Sequence, residues 1–154
     1  MVAAGPGAAL PIFWAGLICG TMDITAALVV YGHYGLAPMR LLQGIAAGLL
    51  GRRSFDGGAA TAALGLACHY FIACSAASVY YAASRAMPVL VRHFLGFGAL
   101  YGVCVYYFMQ YAVLPLSAAT RRPFSLKFMI IGVVIHICCV GLPIATTIRR
   151  LAPR

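Results

Sequence analysis

Asp23, His69 and His136 are the residues whose types and positions in this sequence point to chemistry. Each falls near the middle of a long apolar run, Asp23 in residues 11–31, His69 in 59–82 and His136 in 128–148. Should each run cross a bilayer as a helix, three helices offer ionisable groups at one depth, because a helical residue advances about 1.5 Å along the axis. Asp23 is the only acid inside any such run. A charge at the bilayer centre costs roughly 2.5–3.5 kcal/mol on insertion scales, so groups of this kind face the interior of a bundle and find partners. An imidazole is the natural partner for a carboxylate, since contact favours both charged forms while burial opposes them.

Three kinds of chemistry fit the trio. In the first, Asp23, His69 and His136 satisfy one another or Thr21, Thr25, Tyr70 and Gln110, and the buried hydrogen bonds pin helix register. In the second, carboxylate and imidazoles exchange protons along a proton-linked or ion-linked path; so short a chain encloses such a path only as an oligomer. In the third, His69 and His136 hold a b-type haem between them, because facing histidines at equal depth suit bis-His ligation. No second histidine pair completes an electron-transfer chain across the bilayer, so no cofactor is expected beyond that haem alternative. No nucleophilic triad, paired carboxylates or glycine-rich lysine motif appears, and no catalytic residue is assigned. The six cysteines, Cys19, Cys68, Cys74, Cys104, Cys138 and Cys139, lie in apolar stretches without CxxC or zinc-like spacing, so no metal set is expected.

The elements that must position these groups follow from composition. Hydrophobic residues make up 64% of the chain and charged ones 8%, against roughly 25% charged in a soluble domain, which excludes a soluble fold. A crossing helix needs about 20 apolar residues, and four such runs occur, at 11–31, 59–82, 94–114 and 128–148. The fold class expected is therefore an all-α integral membrane protein of four transmembrane helices in one domain, residues 1–154. Residues 38–51 are too short to span, but Met39, Leu42, Ile45, Ala46, Leu49 and Leu50 recur at helical spacing, which predicts an interfacial or re-entrant helix between the first two spans. The first run lacks a preceding Lys or Arg, so it is expected to remain as a helix and not be cleaved as a signal peptide.

A net charge of +9 on so apolar a chain points to lipid headgroups and topology and away from nucleic acid, for which no extended basic face exists. Arg52, Arg53, Arg121, Arg122, Arg149 and Arg150 flank the runs and are the candidate headgroup residues. Orientation is left open: Arg85, Arg92, Arg149, Arg150 and Arg154 fall on one side, and Arg40, Arg52, Arg53, Arg121, Arg122 and Lys127 on the other. Glycines four residues apart, Gly16 with Gly20, Gly44 with Gly48 and Gly98 with Gly102, let helix backbones approach closely, either within one bundle or at a seam between copies. Gly65 precedes His69 by the same four residues as Gly132 precedes His136, a pattern that suggests a duplicated helical hairpin.

The stretches Gly20-Thr21-Met22-Asp23-Ile24, residues 41–51 (LLQGIAAGLLG) and residues 135–143 (IHICCVGLP) resemble a family of small, uncharacterised bacterial inner-membrane proteins. The resemblance implies a compact multi-helix protein of the bacterial inner membrane that retains Asp23, His69 and His136, and it implies no substrate or reaction. The function expected is that of a binding or accessory membrane component, homo-oligomeric or part of a larger complex, in contact with membrane lipids. A small proton-coupled transporter or channel is the alternative, and a haem protein the third.

Overall fold

The computed structural model describes residues 7–120 and 124–152, so Arg121 and Arg122 lie outside the described residues. Four helices are long and apolar enough to cross a membrane. They are α1 (Ala9–His33), α3 (Gly58–Ala86), α4 (Phe94–Leu116) and α5 (Leu126–Leu151), with the shorter α2 (Pro38–Leu50) between the first two. No strand occurs among the described residues.

Local chemistry sets the ends. Gly35, at φ 81°, closes α1: its own N–H reaches Gly32 O at 2.9 Å and the Leu36 N–H reaches Tyr31 O at 3.0 Å, the paired bonds of a glycine C-terminal cap. α2 starts on Pro38, whose missing N–H costs nothing in a first turn. α3 ends at Ala86, two residues before Pro88.

Small residues decide which helices touch. A Cβ on Gly16 would lie 2.8 Å from the Cα of Cys74, and one on Gly20 would lie 2.9 Å from the Tyr70 ring, so both glycines are what lets α1 lie against α3. Gly98 and Gly102 do the same for α4 against α5, where they meet Gly141, Leu142, Ala145 and the backbone of His136 and Ile137. Both pairs are thus consumed by packing inside the chain. α1 lies between α3 and α5, and α5 between α1 and α4. α3 and α4 meet through side chains, the Tyr101 hydroxyl donating to Ala76 O at 2.7 Å with the Tyr80 and Tyr101 rings 5.0 Å apart.

The core gathers at the end of the bundle that carries the α3–α4 connection, around Ala15, Cys19, Ala77, Tyr80, Ile144 and Ile148. Towards the other end the helices diverge, and no residue of Leu126–Ile135 is buried. There α1 and α5 are rejoined by an aromatic clasp: Phe128 stacks on Tyr31 at 5.8 Å and meets Tyr34 edge-on at 5.2 Å, while Lys127 Nζ sits 4.5 Å over the Tyr34 ring. α2 crosses the first turns of α3, where Gly65 accommodates the Leu42 carbonyl and buried Gln43 donates to Gly58 O at 3.1 Å. Its far end is tied to the segment after α4 by a bond from the Ala118 N–H to Gly48 O at 2.9 Å.

Candidate functional site

The bundle distributes the polar trio over separate seams. Because Gly16 and Gly20 bring α3 close, the His69 ring reaches across to α1, and Nε2 lies 2.8 Å from Gly20 O. A carbonyl only accepts, so this nitrogen carries the proton and donates. The neighbouring Tyr70 hydroxyl pairs with the Thr21 hydroxyl at 2.9 Å, a second polar tie on the same seam.

His136 belongs to the other seam. Its Nδ1–H donates to Gly132 O at 2.9 Å, one turn back on its own helix, and its ring meets Tyr106 edge-on at 5.3 Å. Gly132 has no side chain, which leaves the room the Tyr106 ring occupies. The two Gly–His repeats therefore do different work: Gly132 accepts from its histidine, whereas Gly65 seats α2 and His69 bonds to α1.

Asp23 is half-buried on α1, one turn from Cys19 and within electrostatic reach of Cys139 on α5. It has no hydrogen bond or ion pair among the described residues, and no bond or ring contact joins Asp23, His69 and His136 to one another. Nor do three His, Cys, Asp or Glu side chains converge as a metal-ligand set among the described residues. On α1, the helix that carries Asp23, the surface from Thr21 to Val30 forms a shallow, open depression of about 520 Å³ that Cys139 of α5 borders.

Two features of the site escaped the sequence reading. α4 widens into a π-turn over Met109–Val113 and α5 over His136–Gly141, each shortly before a proline, Pro115 and Pro143. Proline lacks an N–H and its ring crowds the carbonyl four residues back; a wide turn relieves both. Pro143 inside its apolar run and Pro115 directly after its run were the available signal. Gln110 stands in the first of these turns, exposed and without a hydrogen bond among the described residues. Of the candidate headgroup residues, Arg52 and Arg53 lie exposed in the turn after α2, and Arg149 and Arg150 in the last turn of α5.

The chain matches no family model, no curated protein and no solved structure.

Proposed function

We propose that the chain is a polytopic membrane component that acts by association within the bilayer, its own copies supplying the polar contacts that a single bundle leaves open. Asp23 carries this reading: a carboxyl halfway along a membrane-length helix has no hydrogen-bond or ion-pair partner among the described residues. Insertion of such a group costs roughly 2.5–3.5 kcal/mol unless it is protonated or met by a donor. Self-association is favoured over a foreign partner by Gln110, because an exposed amide is donor and acceptor at once and two copies can satisfy each other. The shallow depression on α1 offers Thr21, Thr25 and Ala26 together with the exposed apolar Met22 and Val29 as the surface a neighbouring helix would meet. In this reading α2 lies at the membrane interface, with Met39, Leu49 and Leu50 towards the acyl chains and Arg52 and Arg53 at the headgroups. The bacterial inner membrane is the proposed setting, on the resemblance carried by residues 20–24, 41–51 and 135–143.

A second reading, proton-linked transport, is favoured by one observation, the π-turn and proline breaks in both α4 and α5, one of which opens on His136. One experiment separates the two. Single-molecule photobleaching in supported bilayers counts copies per spot for the wild type, Asp23→Asn and Gln110→Leu, and the same preparations are assayed for pH-driven flux in liposomes. Self-association predicts oligomers in the wild type and a shift towards monomers in both variants. Oligomers or monomers unchanged by either substitution, with flux lost in Asp23→Asn, would transfer the assignment to transport.

A further inference from the structure

We propose that the recess between the start of α4 and the last turns of α5 is a binding site for a phosphate group, formed by Thr146, Arg149 and Arg150 against Phe94. The recess measures about 330 Å³ and is lined by those four residues. Thr146, Arg149 and Arg150 stand at i, i+3 and i+4 of one helix, so their side chains share a face. The Arg149 guanidinium carbon sits 4.2 Å from the centre of the Phe94 ring, a cation–π contact that holds the head group at the recess while its N–H groups stay available to grip oxygens of one anion. The Thr146 hydroxyl makes no hydrogen bond among the described residues, which leaves it free to donate to a third oxygen.

Charge balance points the same way. The chain has two acidic side chains, Asp23 in the middle of α1 and Asp56 in the turn before α3, at the far end of the bundle from the recess. No acidic side chain is therefore near enough to neutralise Arg149 and Arg150, while Arg92 adds further positive charge close by. The recess also opens against the start of α4. The first capping bond there runs from Phe97 N–H to His93 O at 3.2 Å, so the earlier N–H groups have no acceptor within the helix. An anion with several oxygens in tetrahedral array is the ligand that can engage guanidinium and hydroxyl donors lining one recess together.

The phosphate has two possible sources, a lipid headgroup and a soluble phosphate. Native mass spectrometry of the full chain in detergent, titrated with dioleoylphosphatidylglycerol, dioleoylglycerol or inorganic phosphate, distinguishes them. Arg149→Lys keeps the charge and Thr146→Val the shape, so neither alters topology or bulk electrostatics; both are checked for unchanged melting. Phosphatidylglycerol is expected to bind at least about tenfold more tightly than dioleoylglycerol, and each variant to weaken it about tenfold. Competition by inorganic phosphate with the same dependence on Arg149 and Thr146 would identify a soluble anion as the ligand and keep the site. Phosphatidylglycerol binding equal to dioleoylglycerol with no binding of inorganic phosphate, or binding unmoved in both variants, overturns the proposal. The site is independent of self-association, since neither variant touches Asp23 or Gln110.

Discussion

Replacing Gly102 by alanine tests the packing of α4 against α5 most directly. The added Cβ would stand 2.7 Å from the Cα of Ile137 and 2.8 Å from the carbonyl carbon of His136, and nearer still to the His136 oxygen. Carbon atoms pack at about 3.5–4.0 Å, so the two helices must part by about 1 Å, and a radial gap of that size forfeits a quarter to a half of each contact along the seam. The obstructing atoms are backbone, which cannot swing aside as a side-chain tip would. Overpacking of this kind costs about 1–3 kcal/mol. Alanine's better helix propensity returns less than its usual 1 kcal/mol, because α4 remains helical when the seam opens. A net loss of about 2 kcal/mol is expected in reversible unfolding from mixed micelles. Gly44→Ala is the matched control: no heavy atom lies within 4 Å of its added Cβ, and stability should stay within about 0.5 kcal/mol of the wild type or rise. Gly141→Ala strikes the same seam from the other helix, against Gly98 and Gly102, so the Gly102/Gly141 double variant should lose less than the sum of the two. Equal effects of Gly102→Ala and Gly44→Ala would refute the close approach from which the whole arrangement of α4 and α5 is argued.

Two further outcomes follow from individual contacts. Tyr101→Phe removes the hydroxyl that donates to Ala76 O at 2.7 Å and should cost about 0.5–1.5 kcal/mol in the same unfolding assay, with α3 and α4 losing protection from hydrogen exchange first. Protein expressed with ample haem should show no sharp reduced α-band, because His69 Nε2 is engaged by Gly20 O and His136 faces Tyr106 on another seam; a band abolished by both His69→Ala and His136→Ala would reverse that expectation.

Depth along a helix is legible in a sequence because it is a count of residues, and four helices long and apolar enough to cross a membrane lie where the apolar runs are. Direction around a helix is not, because it depends on which neighbour lies alongside. Gly16, Gly20, Gly98 and Gly102 announced close approach, but only the fold shows that the first pair meets Cys74 and Tyr70 and the second the turn at His136. The π-turn at His136–Gly141 adds a second obstacle. A residue accommodated in a widened turn rotates everything after it by about one residue's angle, roughly 100° for a period of 3.6. A regular period carried from Leu126 through Leu151 therefore does not keep its register, and the core residues Ile144, Ala145 and Ile148 all follow the wide turn, while no residue of Leu126–Ile135 is buried. Equal depth consequently did not become contact. His69 is drawn to α1 by the room that Gly20 leaves, and His136 is held on its own helix by Gly132, so each histidine is satisfied by a carbonyl and needs no carboxylate. Asp23 is left as a mid-helix carboxyl without a hydrogen bond or ion pair among the described residues, and for that reason its replacement should disturb association or proton movement more than it disturbs the fold.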